Sequence, residues 1–152
     1  MTSVLFVCHG NICRSPMAQF IFDHIAKENG REGDLCAFSA AVSSEEIWGD
    51  TGSPVYPPAR DVLRRHGIPF GEHYAVQIRK EDKDKYDLII AMDRSNVRGV
   101  ERICGKSGKI HLLLEYAGED RDISDPWYSG DFERAYEDIY KGCLALFKSL
   151  VG

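Results

Sequence analysis

Short apolar runs recur along the chain and predict buried strands. The first run, Ser3 to Cys8, is continuous and partly β-branched, which is typical of a strand covered on both faces in a parallel sheet. Similar runs over residues 35–42, 86–92 and 109–114 predict three more strands. The pattern therefore favours a sheet of four strands.

Segments with apolar residues at helical spacing lie between these runs. Ser15 can cap the first helix with Pro16 at its first position, where proline is well tolerated. The clearest amphipathic stripe comes in the last twenty residues. The four predicted helices span residues 15–30, 57–67, 93–104 and 132–150.

Strands that alternate with helices predict an α/β fold, here in a single domain over residues 1–152. We expect a three-layer sandwich in which a four-stranded parallel sheet is flanked by helices on both faces. Such sheets bind their ligands at the carboxyl ends of the strands. We therefore expect a functional site in the loop after the first strand.

The composition agrees with one globular domain and narrows its partners. The 152 residues are 43% hydrophobic and carry a formal net charge of −5. A chain of this length buries roughly 68–70% of its unfolded surface, which is enough for a full core. The acidic balance offers no overall basic field to nucleic acid or to a membrane surface. Any anion that the protein binds must therefore be held by a local site.

The cysteines and histidines favour a cytoplasmic protein without a metal or other cofactor. The five cysteines are an odd number and too sparse for a disulfide framework, which suits a reducing compartment. The first apolar run is too short for the core of a signal peptide, and no stretch approaches the ~18 apolar residues of a membrane span. No His-x-x-x-His or Cys-x-x-Cys pair occurs.

The loop at residues 8–15 has the composition of an anion cradle. Gly10 accepts any backbone conformation and Asn11 tolerates positive φ, so successive N–H groups can point at one centre. The N-terminus of the following helix adds free N–H groups and the positive end of its dipole. We expect the phosphate-binding residues to be His9, Gly10, Asn11, Ile12, Cys13, Arg14 and Ser15.

Cys8 stands at the base of this cradle, where the positive environment favours a thiolate. Arg14 supplies a planar fork that can hold two oxygens at once, and Ser15 can donate a hydrogen bond to the sulfur. The Cys-to-Arg spacing alone is uninformative, but its position between a buried strand and a Ser-Pro helix start favours a functional loop. The pattern predicts a cysteine nucleophile with an arginine clamp.

The segment from Val7 to Pro16, VCHGNICRSP, resembles the phosphate-binding loop of the low-molecular-weight protein tyrosine phosphatases. The resemblance covers nearly the whole chain, because further segments match in the family's order: residues 39–43, 66–68, 91–96 and 125–128. It implies hydrolysis of phosphotyrosine and aryl phosphate monoesters through a phosphocysteine on Cys8. Phosphotyrosine-containing proteins would be the substrates and inorganic phosphate a product, and the protein would be a monomer or weak dimer.

This reaction needs a proton donor for the leaving oxygen. The residues alone leave several candidates in an acidic run, which is otherwise typical of a solvated loop: Glu119, Asp120, Asp122 and Asp125. The family resemblance of Asp125-Pro126 selects Asp125 as general acid and then general base.

The aromatic residues after Asp125 depart slightly from the family pattern, which has Tyr-Tyr where this chain has Trp127-Tyr128. We expect these two side chains to form a pocket wall for a phosphotyrosyl ring. Ile47 and Trp48, in the loop after the second strand, are the expected facing wall. That loop differs most from the family, so substrate preference stays open.

Two further expectations come from the resemblance. Asn11, Ser15, Ser39 and His66 match family positions whose hydrogen bonds hold the loop in shape. Cys13 matches a second loop cysteine that forms a reversible disulfide with the nucleophile under oxidation.

Two other functions remain as alternatives. A thiol-dependent arsenate reductase of the same fold would need a closely spaced downstream cysteine pair, whereas Cys36, Cys104 and Cys143 are dispersed. A silent phosphate-binding module would have to keep nucleophile, clamp and acid without using them.

Overall fold

A parallel sheet of four strands lies at the centre of the computed structural model, which describes residues 1–152. The strands of the protein are β1 (Thr2–Cys8), β2 (Leu35–Ala41), β3 (Ile47–Trp48), β4 (Thr51–Gly52), β5 (Leu88–Ala91) and β6 (Ile110–Leu112). The central sheet has the strand order β2-β1-β5-β6, and all its strand pairings are parallel. The strands β3 and β4 form an antiparallel hairpin outside it.

Six α-helices and one 3-10 helix surround the sheet. The 3-10 helix, Leu113–Ala117, follows β6 directly. None of the helices combines the length and the apolar character needed to span a lipid bilayer. The α-helices are α1 (Arg14–Glu28), α2 (Pro57–Arg65), α3 (Asp82–Lys85), α4 (Arg94–Cys104), α5 (Pro126–Ser129) and α6 (Phe132–Val151).

Alternate residues of β1 enter the two cores of the sandwich. Val4 and Phe6 belong to the larger core, which is built with α1, α2 and α6, whereas Leu5 and Val7 belong to the smaller core against α4. Each of these four residues is at most 2% exposed. Because the strand is covered on both faces, it needs apolar residues at every position. The predicted three-layer α/β fold is therefore confirmed.

Element boundaries differ from the predictions where tertiary contacts decide them. The fourth predicted strand ends at Leu112, since the chain turns into the 3-10 helix and buries Leu113 and Leu114 in the larger core. Helix α1 begins at Arg14, so Cys13 and not Ser15 is at the cap position, and no side chain caps the helix. The Ser15 hydroxyl, inside the first turn, bonds to Cys8 and Asn11. The short elements β3, β4, α3 and α5 were not predicted from the sequence.

The acidic run before α5 is held by ion pairs and is not simply solvated. Arg121 makes a bidentate contact to the buried Asp138 of α6, with N–O distances of 2.8 and 3.0 Å. Arg94, at the start of α4, pairs with Asp120 and Asp122. The loop that carries Asp125 is thus tied to two helices.

The Asp138 contact predicts a pH-dependent loss of stability in Asp138→Asn. The hydrogen bonds from Arg121 lower the pKa of Asp138 although burial opposes the shift. A carboxyl with a lowered folded-state pKa contributes stability above its unfolded pKa of about 3.9 and loses it as the pH falls further. We expect Asp138→Asn to lower the free energy of unfolding by about 2 kcal/mol at pH 7.

Urea unfolding at pH 7 and below about pH 4 measures this difference. The difference in the free energy of unfolding between the variant and the parent should be smaller at the lower pH. Glu137→Gln is the matched control, since Glu137 is an exposed neighbour on the same helix. A gap that stays constant with pH, or that equals that of the control, would contradict the role of the ion pair.

Candidate active site

The loop between β1 and α1 is held in a tight curl by Asn11. This residue is fully buried and is the one non-glycine residue with positive φ, at 60°. Its amide oxygen accepts hydrogen bonds from the Val76 backbone N–H at 3.1 Å and from His73 Nε2 at 2.9 Å. Its amide nitrogen donates to Ser15 Oγ at 2.8 Å. These contacts secure a conformation that most side chains disfavour.

Hydrogen-bond donors converge on the Cys8 sulfur. The backbone N–H groups of Asn11 and Ser15 donate to it at 3.3 and 3.4 Å, and Ser15 Oγ lies 3.0 Å away. Since Asn11 already donates to Ser15 Oγ, the serine hydroxyl proton is free to point at the sulfur. The start of α1 adds the positive end of a helix dipole. The arrangement can stabilise a thiolate both as nucleophile and as leaving group.

One terminal nitrogen of the Arg14 guanidinium is held by two hydrogen bonds, and the other is available to bind a ligand. Its Nη1 donates to Asp93 Oδ2 at 2.8 Å and to the Ile123 carbonyl at 2.7 Å, while Nη2 makes one long contact, 3.5 Å, to Asp125. The side chain is only 2% exposed. Burial acts to lower the pKa of Arg14, but the charges of Cys8, Asp125 and Asp93 outweigh it and raise the pKa. The guanidinium therefore stays cationic, with Nη2 directed at the pocket.

Asp125 is positioned by the start of α5. Its Oδ1 accepts a hydrogen bond from the Trp127 backbone N–H at 3.0 Å, and Pro126 occupies the first helical position. The other oxygen, Oδ2, faces Arg14. The carboxyl is partly exposed and lines the same pocket as Cys8. It can therefore meet a group bound above the sulfur.

Cys8, Arg14 and Asp125 share an open pocket with a volume of about 100 Å³. Trp127 and Tyr128 form part of its wall and are 51% and 82% exposed. Trp127 packs against Tyr56 with ring centroids 4.7 Å apart. The other lining residues are His9, Gly10, Ile12, Cys13, Glu45 and Glu46.

The expected facing wall of Ile47 and Trp48 is wrong. Ile47 packs against the cluster of Ile12, Cys13 and Ala75, and Trp48 is 72% exposed; neither side chain lines the pocket. Glu45 and Glu46 line the pocket in their place. This part of the wall is therefore acidic.

The expectation that His66 joins the supporting network is also wrong. His66 follows α2, bonds to Glu133 at 2.8 Å and stacks on Tyr136 at 3.9 Å between ring centroids. The histidine that reaches the loop is His73, through Asn11.

His73 connects the loop to β2 and α1. Its Nε2 lies 3.3 Å from Ser39 Oγ, which donates to Gln19 at 2.6 Å. Burial lowers the pKa of His73, so it stays neutral, and its Nε2 must carry the proton to donate to the Asn11 oxygen. No local sequence signal singles out His73 or Gln19, because both contribute through contacts between distant segments.

Replacement of His73 tests this network. We expect His73→Ala to lower kcat/KM for an aryl phosphate roughly ten- to a hundredfold, because the loop amides lose part of their alignment. His66→Ala is the matched control and should keep kcat/KM per folded molecule. The reverse ranking in steady-state kinetics would contradict the placement of His73.

The second loop cysteine differs from Cys8 in its surroundings. Burial, followed by the charge of Cys8, raises the pKa of Cys13, which favours the thiol. All five cysteines are free. No group of three or more His, Cys, Asp or Glu side chains is arranged to hold a metal ion.

Comparisons with known proteins agree on one family. The model of the family described as low molecular weight phosphotyrosine protein phosphatase matches residues 3–151. The low molecular weight protein-tyrosine-phosphatase YfkJ of Bacillus subtilis is 40% identical, over 99% of this chain and 96% of its own. The Homo sapiens low molecular weight phosphotyrosine protein phosphatase is 38% identical, over 96% of this chain and 94% of its own.

Solved structures of similar proteins have the same fold. The crystal structure of YfkJ superposes with a TM-score of 0.92, over 99% of this chain and 94% of that one. The low molecular weight protein tyrosine phosphatase of Streptococcus pyogenes, at 33% identity, superposes with a TM-score of 0.86 over 100% of this chain and 95% of that one. The likeness extends over the whole sandwich.

Proposed function

Because this chain belongs to the low molecular weight phosphotyrosine protein phosphatase family, we propose that it hydrolyses phosphotyrosine and aryl phosphate monoesters through a phosphocysteine on Cys8. Protein tyrosine phosphatase activity is common to the family, and the chain is a hydrolase of that class. The observation that carries the proposal is the convergence of three donors on the Cys8 sulfur beside the buried Arg14. Proteins that carry phosphotyrosine are the proposed substrates.

In the first step the Cys8 thiolate attacks phosphorus in line with the ester oxygen. The S–P bond forms as the P–O bond breaks, and Asp125 gives its proton to the leaving phenolic oxygen. Arg14 Nη2 and the backbone N–H groups of residues 9, 10 and 12–14 bind the three equatorial oxygens, where the transition-state charge is spread, while the Asn11 N–H stays on the sulfur. Asp93 and the Ile123 carbonyl keep the guanidinium in place through Nη1.

In the second step water hydrolyses the phosphocysteine. Asp125, now ionised, accepts a proton from the attacking water, and the S–P bond breaks to release inorganic phosphate. The departing sulfur regains a negative charge, which the Ser15 hydroxyl and the N–H groups of Asn11 and Ser15 stabilise. The thiolate and the protonated Asp125 are then restored for the next turnover.

Arsenate reduction is poorly supported by the positions of the other cysteines. Cys36 lies on β2, Cys104 ends α4, and Cys143 is fully buried in α6, where its thiol donates to the Ala18 carbonyl at 3.6 Å. A thiol relay would need two of these side chains close to each other and to Cys8. Their separation over three elements argues against it.

An assay with one aryl phosphate and one arsenate solution separates the two activities. We expect phosphate release from 4-nitrophenyl phosphate without added metal, and no arsenite formation with a thiol donor. An inert response to aryl phosphates together with thiol-dependent arsenate reduction would favour the reductase. Binding of phosphate with neither reaction would favour the silent module.

A further inference from the structure

The wall of the pocket that comes from the segment after β2 carries two carboxylates. Glu45 Oε2 lies 3.0 Å from His9 Nε2, at the first residue after Cys8. The stem of Glu46 lies against the loop, since a Cβ added at Gly10 would be 3.3 Å from its Cγ. Both side chains line the pocket that contains Cys8 and Arg14.

Glu46 keeps an uncompensated negative charge. No hydrogen bond or ion pair engages its carboxylate, whereas most other acidic groups around the site are paired: Glu45 with His9, Asp93 and Asp125 with Arg14. The side chain is only partly exposed, so solvent screens it less than a fully exposed group. A pocket whose floor attracts an anion is therefore bordered by negative charge.

This distribution distinguishes between the phosphoryl group and the rest of a substrate. The phosphoryl dianion reaches Arg14 and the loop amides at the floor, where these donors outweigh the border. The residues on either side of the phosphotyrosine in a peptide lie next to the carboxylates of Glu45 and Glu46 at the mouth of the pocket. A second negative charge there meets repulsion, whereas a cationic side chain compensates Glu46 and the partly compensated Glu45.

The aromatic wall of Trp127 and Tyr128 also favours a cationic group beside the phosphotyrosine. Trp127 packs against Tyr56, and Tyr128 is the most exposed aromatic side chain of the protein at 82%. An exposed phenol ring offers a face to an ammonium or guanidinium group, and arginine also pairs well with carboxylates. Acidic and aromatic surfaces on one pocket together favour a cation.

We propose that Glu45 and Glu46 are specificity-determining residues that select phosphotyrosine flanked by arginine or lysine and disfavour acidic flanks. This inference rests on the proposed phosphatase function, which it refines to a substrate class. The preference operates on the residues beside the phosphotyrosine and not on the phosphoryl group.

Three phosphotyrosine peptides of one sequence test the preference, with arginine, alanine or glutamate at the two flanking positions. The readout is the ratio of kcat/KM for the arginine peptide to that for the glutamate peptide. We expect a ratio of about ten or more at low ionic strength, falling towards unity in about 1 M salt, where charges are screened beyond about 3 Å. Glu45→Gln with Glu46→Gln should reduce the low-salt ratio at least threefold.

Asp50→Asn is the matched control, because Asp50 is an exposed acid of the same segment that does not line this pocket. It should keep the parent's ratio. An equal ratio in the parent and the double variant, with all peptides hydrolysed, would overturn the role of the acidic wall and leave the phosphatase function standing. Failure of the parent to hydrolyse any of the peptides or 4-nitrophenyl phosphate would instead overturn the phosphatase function.

Discussion

Cys8→Ser is expected to lower the rate of phosphate release by a factor on the order of 10⁴ or more, because a neutral hydroxyl replaces the thiolate. The fold should persist, since serine is slightly smaller than cysteine and Ser15 and Asn11 can still donate to its oxygen. Phosphate binding should persist as well, because Arg14 and the loop amides do not change. Steady-state turnover of 4-nitrophenyl phosphate and thermal unfolding with and without phosphate measure these three properties.

Cys36→Ser is the matched control for this substitution. It makes the same chemical change on β2, outside the pocket. We expect it to keep the parent's kcat/KM. Undiminished turnover in Cys8→Ser would rule out the covalent mechanism, whatever the control does.

Asp125→Asn is expected to lower kcat by about 10²–10⁴-fold, the usual contribution of a general acid or base. The rate of P–O bond cleavage should fall more for phenyl phosphate than for 4-nitrophenyl phosphate, because the nitrophenolate leaves more readily without a proton. The pH profile of kcat/KM should also lose its alkaline limb, since an amide has no proton to lose. Steady-state and single-turnover kinetics over a range of pH with both substrates measure these effects.

Asp120→Asn serves as the control in the same loop. Its side chain is 96% exposed and is paired with Arg94 away from the pocket. It should keep both the rate and the alkaline limb. If the alkaline limb persists in Asp125→Asn, the acid is another residue.

The part of the site that lies within one stretch of chain was predictable. A buried strand, a Gly-Asn turn and a helix start are local features, so residues 8–15 could be recognised as a cradle before any contact was known. Cys8 and Arg14 belong to this stretch. Asp125 lies far along the chain, and it was selected only by resemblance because its acidic neighbours look alike.

The supporting network was not predictable in the same way. His66 and His73 both lie in the stretch after α2, and which one reaches Asn11 depends on the path of residues 71–78 beneath the loop. That path follows from contacts such as the Val76 N–H to Asn11, between residues 65 positions apart. Burial and hydrogen bonding between distant segments decide the outcome, and neither leaves a local pattern.

The acidic wall was not predictable from the sequence for a related reason. Alternation along a strand decides which of two neighbours points inward, and a two-residue strand carries no detectable period. From the sequence alone, the aromatic Trp48 is therefore the stronger candidate for a pocket wall, whereas Glu45 and Glu46 resemble ordinary surface charges. The pocket lining by Glu45 and Glu46 and the packing of Ile47 against Ile12 and Cys13 are both contacts between distant segments.

Phosphorylation of the Cys8 sulfur during turnover is measured most directly by rapid acid quench of Asp125→Asn with 4-nitrophenyl phosphate, followed by mass spectrometry of the peptide that contains residues 8–15. This variant should accumulate the intermediate, because the good leaving group departs without the acid while hydrolysis lacks its base. The mechanism predicts one phosphoryl group on Cys8. Turnover without a phosphoryl group on Cys8, or with the group on His9 or another residue, would contradict it.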